Sequence, residues 1–163
     1  MILTKKQEEG LKIAVEKYRN GDPWVCISGY AGSGKSTLVK FIVEALQLDP
    51  EEDVAYIAFT GKAASVLRQK GNPNACTAHK LLYYSKRLPN GKFCFNPRET
   101  LEKNYKVIVV DEVSMLPITL WNLLLSHNIF VIACGDPGQL PPIDKSTDNC
   151  VLKKSVIEQK IEK

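Results

Sequence analysis

The chain has 163 residues, a net charge of +4 and a sequence pI near 8.7. Its 44% apolar and 25% charged residues are those of a globular domain, which excludes a disordered chain, and no apolar run is long enough to span a bilayer. The five cysteines are scattered without a Cys-x-x-Cys pair, which argues against a zinc ribbon or a disulfide framework. The mild basicity permits a nucleic-acid partner without requiring one. One domain in a reducing cytoplasm, with no signal peptide and no membrane association, is the expectation.

Thr4 opens the first expected helix, and Gln7 three residues on completes a capping-box pattern. Leu11, Ala14, Val15 and Tyr18 recur at helical spacing, and Asn20-Gly21-Asp22-Pro23 stops the helix. Val25 to Ser28 reads as a short buried strand. It runs into Gly29-Tyr30-Ala31-Gly32-Ser33-Gly34-Lys35-Ser36, the P-loop pattern, and then into a second helix that stops before Asp49-Pro50. Val54 to Phe59 is a continuous apolar run, as expected of a strand covered on both faces. A short helix over Ala63 to Leu67, capped by Gly71, and another over Thr77 to Tyr83 follow.

Asn90-Gly91 predicts a hairpin with a type I′ turn. Tyr83, Tyr84, Phe93 and Phe95 flank it, interleaved with Lys86, Arg87, Lys92 and Arg98. Such a mixture suits single-stranded nucleic acid, whose bases stack while its phosphates pair with charge. The alternative is a solvated hairpin with its aromatics turned inward. Lys106 to Val110 is a third buried strand, ending in Asp111-Glu112. Pro117 is expected in the first turn of a helix through Ser126, and Ile129 to Cys134 is a fourth strand. It leads into Gly135 to Pro142, whose prolines rule out a sheet or helix interior. Strands alternating with helices predict an α/β fold with a parallel sheet and ligands at the strands' C-terminal ends.

The parts needed for nucleotide hydrolysis are present at those ends. Gly32, Ser33 and Gly34 would present backbone N–H groups to phosphate oxygens, together with a helix N-terminus. Lys35 would reach the β- and γ-phosphates, and the Ser36 hydroxyl would ligate Mg²⁺. Asp111, after Val-Ile-Val-Val, is placed as a Walker-B carboxylate for the same metal. Glu112 is the candidate to orient or deprotonate the attacking water. Gln139 is the candidate γ-phosphate sensor, with a loop glutamine bonded to backbone as the alternative.

The sequence resembles the first motor domain of a superfamily 1 DNA helicase of the RecD-like, Dda-like branch. Leu3 to Gln7 resembles the Q motif, Gly29 to Thr37 motif I, and Phe59-Thr60-Gly61-Lys62-Ala63-Ala64 motif Ia. Thr77 to Leu82 matches the next block, Val110 to Met115 motif II, and Gly135 to Ile143 motif III. The resemblance implies a P-loop NTPase of RecA-like fold, with a small inserted β-hairpin at about residues 83–98 as a strand-separating pin. It implies ATP and Mg²⁺ as cofactors, with Gln7 reading the adenine edge and Thr37 completing the phosphate loop. It implies DNA contacts by Thr60 and Lys62, with Thr77 and His79 lining the same path. For Gln7 the capping box, and for His79 a structural histidine, stand as alternatives. It also implies 5′-to-3′ helicase activity on single-stranded DNA or DNA junctions, by a monomer.

The family's ATP sits between two RecA-like domains, and the second supplies arginines. No arginine follows Arg98 in this sequence. The expected organisation is therefore a RecA-like ATPase domain over residues 1–147. Residues 148–163 would begin the link to a second motor domain that is missing here. Alone, the chain is expected to bind nucleotide, to hydrolyse ATP slowly at best and not to translocate. The competing reading is a nucleotide-dependent single-stranded DNA-binding module without motor activity.

Overall fold

The computed structural model describes residues 3–136. Gln139 and the rest of the motif III stretch beyond Asp136, as well as residues 148–163, lie outside them. The first helix, α1 (Lys5–Asn20), starts at Thr4, whose hydroxyl accepts from the Gln7 N–H while the Gln7 side chain accepts from the Thr4 N–H, and Gly21 at φ 76° closes it. Then follow β1 (Trp24–Ser28), α2 (Lys35–Ala45), β2 (Val54–Ala58) and α3 (Gly61–Gln69). After them come β3 (Cys76–Thr77), α4 (Ala78–Leu82), the hairpin strands β4 (Tyr83–Arg87) and β5 (Phe93–Pro97), and β6 (Val107–Val110). A 3-10 turn (Val113–Met115), α5 (Ile118–Leu125) and β7 (Phe130–Gly135) complete the described chain.

Five strands form one parallel sheet in the order β1-β7-β6-β2-β3. This is the P-loop NTPase arrangement of RecA-like type. The apolar strand runs are continuous because both faces are covered. Along β6, Val107 and Val109 pack under α1, α2 and α3 with Ala14, Leu38, Ile42 and Leu67. The alternate residues Ile108 and Val110 pack on the other face with Leu82, Leu116, Leu120 and Leu124. Successive side chains of a strand point to opposite faces, so these four residues feed two cores.

The second helix ends at Ala45, before Asp49-Pro50 as expected, and Gln47 turns the chain at φ 55°. Three other local details differ from the sequence expectation. Pro117 is the N-cap of α5 rather than a residue of its first turn. The two-residue strand β3 joins the sheet beside β2. The hairpin turn is not type I′, because Asn90 does not take a positive φ. Gly91 N–H donates to Leu88 C=O at 2.9 Å, Leu88 N–H donates to Lys92 C=O at 2.8 Å, and Gly91 has φ 79°. That is a type I turn with Pro89 in its favoured position, followed by a glycine in the left-handed region.

Candidate active site

The sheet order makes the site. Strands β1, β7 and β6 are neighbours, so the loops leaving their C-terminal ends converge on one cavity of about 320 Å³. Gly32, Gly34, Lys35, Ser36 and Thr37 line it from the phosphate loop, Asp111 and Glu112 from the end of β6, and Asp136 from the end of β7. Residues far apart in sequence thus face one another as a nucleotide site needs.

Two glycines of the loop carry the left-handed bends that let it wrap, Gly32 at φ 76° and Gly34 at φ 84°. Gly29 and, again, Gly34 also sit close under neighbouring side chains. A Cβ on Gly29 would lie 2.6 Å from the Ser33 hydroxyl, and one on Gly34 would lie 2.6 Å from the Gln7 amide nitrogen, so either side-chain tip would have to move. No side chain caps the N-terminus of α2, which leaves its first-turn N–H groups to an anion. The Lys35 ammonium is folded onto the loop, donating to Gly29 C=O at 2.6 Å and Tyr30 C=O at 3.0 Å. It is thereby held inside the cradle, where phosphate oxygens would be met. The Ser36 hydroxyl and the Asp111 carboxylate are hard oxygen donors facing one cavity, the donor chemistry that Mg²⁺ takes. No cluster of three or more acidic, histidine or cysteine side chains able to hold a metal alone occurs among the described residues.

Glu112 has φ 52° and ψ 50°, the left-handed conformation, at the point where β6 gives way to the 3-10 turn. Such backbone costs a residue with a side chain about 1–2 kcal/mol. Strain of this kind is a recurrent feature of functional sites. Beneath Asp111, burial, with the Asp111 charge adding to it, pushes the Cys134 thiol up to about 12. The sulfur under the candidate metal position is therefore neutral.

Gln7 carries two engagements at once. Its Oε1 accepts from the Thr4 N–H at 2.9 Å and the Thr4 hydroxyl at 3.1 Å, and its Nε2 donates to Ser33 C=O at 3.3 Å. The capping box and the nucleotide loop thus share one amide.

Asp136 was not singled out by sequence reasoning, yet its carboxylate accepts from the Ala31 N–H at 3.0 Å and is buried. A second bond, from Gly29 N–H to Gly135 C=O at 3.1 Å, ties the same loop to the same strand end. The available signal was the Gly-Asp step at the end of the fourth strand, but its partner lies 105 residues away.

The four candidate DNA contacts sit at the starts of α3 and α4, at the C-terminal ends of β2 and β3. Ala58 pairs with Thr77 across β2 and β3, which brings the starts of α3 and α4 together. The Thr60 hydroxyl caps α3 by accepting from Ala63 N–H at 3.2 Å, and the Thr77 hydroxyl caps α4 by accepting from Lys80 N–H at 3.2 Å. Each keeps its O–H to donate. Lys62 and His79 are exposed. The His79 ring stacks on Tyr83 at 5.8 Å and lies 6.0 Å from Phe59. Tyr83 begins β4, so the aromatic row leads into the hairpin. There Phe93 is 63% and Phe95 67% exposed and Tyr84 is exposed as well, so these aromatics are not turned inward, whereas Tyr83 is half-buried against the core. The pairings Tyr83↔Pro97, Ser85↔Phe95 and Arg87↔Phe93 put both phenylalanines on one face with Arg87. Arg98, by contrast, is spent on the hairpin root. It donates to Tyr83 C=O at 3.2 Å and pairs with Glu102 at 2.6 Å.

A family model described as an AAA domain matches residues 3–158. The chain is 30% identical over 154 residues to the ATP-dependent DNA helicase dda of Enterobacteria phage T4, covering 92% of this chain and 35% of that protein. It is 31% identical over 170 residues to the ATP-dependent DNA helicase PIF1 of Candida albicans, covering 90% of this chain and 17% of that protein. The chain thus spans about a third or less of the length of these relatives. A chain from a structure of two coordinating Pif1 helicases at forked double-stranded DNA superposes with a TM-score of 0.59 at 22% identity, over 90% of this chain and 36% of that one. That likeness supports the fold. No helix among the described residues is long and apolar enough to cross a membrane.

Proposed function

We propose that this chain, which belongs to the AAA domain family, is the first motor domain of an ATP-dependent DNA helicase of the Dda and Pif1 type. The observation that carries the proposal is the meeting of Lys35, Ser36, Asp111 and Glu112 on one cavity at the sheet's C-terminal edge. The names of the relatives supply the helicase class and the DNA partner.

In this reading the loop N–H groups and the first turn of α2 receive the triphosphate. The Lys35 ammonium gives up the Gly29 and Tyr30 carbonyls for the β- and γ-phosphate oxygens. Ser36 and Asp111 hold Mg²⁺, which when bound neutralises charge on the phosphates. Glu112 holds the attacking water in line and takes its proton. Gln7 reads the adenine edge, Thr37 completes the phosphate loop, and Gln139 senses the γ-phosphate. Thr60 and Lys62 hold the backbone of the DNA strand beside Thr77 and His79. The hairpin at residues 83–98 stacks bases on Phe93 and Phe95, with Arg87 beside them for phosphate, in a 5′-to-3′ monomeric motor.

Residues 1–147 then form the ATPase domain, and residues 148–163 lead toward a second RecA-like domain that supplies the arginines. Such an arginine is typically worth ~10³–10⁵ in rate. The test is ATP turnover by this chain with and without single-stranded DNA, for the native sequence, Lys35→Ala and Glu112→Gln. Slow turnover, lost in both variants, is the expected outcome. Rapid DNA-stimulated turnover would remove the need for a second domain, and turnover that persists in Lys35→Ala would move the chemistry elsewhere.

A further inference from the structure

The phosphate cavity has a second cation in its wall. Lys70 is the C-cap of α3, and its N–H donates to Val66 and Leu67 carbonyls at 3.0 and 3.2 Å, which fixes its backbone. Its side chain lines the cavity that Lys35, Ser36, Asp111 and Glu112 line. It also lines a neighbouring cavity of about 450 Å³ between α2 and α3. Ser36, Thr37 and Asp111 are the other residues common to both cavities. Lys70, whose side chain is exposed, therefore borders the part of the phosphate seat that Ser36 and Asp111 share.

Two further facts bear on its role. No ion pair or hydrogen bond engages the Lys70 ammonium among the described residues. The ionisable side chains lining the phosphate cavity are Lys35 and Lys70 against Asp111, Glu112 and Asp136, so two positive and three negative charges give −1 with Lys70 and −2 without it. An incoming polyphosphate meets a net negative wall, and a flexible four-carbon stem lets Lys70 move its charge toward it. We propose that Lys70 is a phosphate-binding cation that reaches the terminal phosphate of a nucleoside triphosphate from the Asp111 side of the cavity. It would make the site prefer triphosphate to diphosphate. The inference rests on the nucleotide reading above. The competing explanation is that Lys70 only complements the C-terminal dipole of α3.

Calorimetric titration of the full 163-residue chain with Mg-ATP and with Mg-ADP separates these, for the native sequence, Lys70→Met and Lys70→Arg, alongside each protein's Tm. Lys70→Met should bind Mg-ATP about tenfold more weakly, the size expected for one lost charge contact in a partly wet site. Mg-ADP affinity should change by less than about threefold, Lys70→Arg should restore most of the loss, and Tm should not move. Equal Mg-ATP affinity in the native protein and Lys70→Met would overturn the inference. So would an equal loss for both nucleotides, or a fall in Tm with the ATP-to-ADP preference unchanged. If the native protein binds neither nucleotide, the nucleotide reading fails and takes the inference with it.

Discussion

Glu112 and Asp136 place opposite demands on their backbones. Glu112 holds a left-handed conformation, φ 52°, that glycine would adopt without strain. Replacing it with glycine should therefore leave the unfolding free energy unchanged or raise it by up to about 1 kcal/mol, while ATP turnover is lost. Urea denaturation beside a turnover assay checks this, and a loss of stability would show that the carboxylate is structural. Asp136 is the reverse case. Its carboxylate takes the Ala31 N–H in a part-buried setting, so Asp136→Ala leaves that donor without its acceptor. The expected cost is about 1–3 kcal/mol in urea unfolding, with weaker Mg-ATP binding because the loop loses its tether. Asp136→Asn keeps an acceptor oxygen and should recover most of the stability. Neither role is visible along the chain. A positive φ at a glutamate follows from the exit angle of β6, and the Ala31 partner of Asp136 arrives only when β1 pairs with β7.

At the scale of elements, local chemistry was the readable part. The Thr4–Gln7 box, the Gly21 stop and the buried strands β2, β6 and β7 are short-range signals, and the structure has each of them; β1, at the sheet edge, is buried only at Val25. The Asn90-Gly91 pair misled on turn type because Pro89 favours the second position of a type I turn, which leaves only Gly91 to bend left-handed. Strand β3 was missed because two residues carry no periodicity, and only the β2 edge makes them a strand. The hairpin was legible as an element, but the direction of its aromatics was not, since both faces of the pair alternate polar and apolar residues. Its exposure now gives a clean test. Phe93→Ala and Phe95→Ala should each change stability by less than about 0.5 kcal/mol. Each should weaken binding of single-stranded DNA by about 1–3 kcal/mol, read by fluorescence anisotropy. Unchanged DNA affinity in the double variant would leave the hairpin outside the DNA path.

For the whole molecule, the decisive fact is strand order. Placing β1 beside β7 and β7 beside β6 turns three separate sequence motifs into one wall of a nucleotide site. The same order sets β2 and β3 next to it, so the candidate DNA contacts and the candidate phosphate contacts share an edge of one rigid sheet. A shared edge is what a motor needs if a change at the phosphates is to be felt by a bound strand. The fold class followed from alternating strands and helices, whereas the order of the strands did not, because apolar runs of similar length do not say which is whose neighbour. The central claim is that the cavity between Lys35 and Glu112 binds Mg-nucleotide. Equilibrium titration of the 163-residue chain with Mg-ATP, native against Lys35→Ala, tests it most directly. Saturable binding at one site that Lys35→Ala abolishes is expected; equal binding by both proteins, or none by the native chain, would refute nucleotide binding at this cavity.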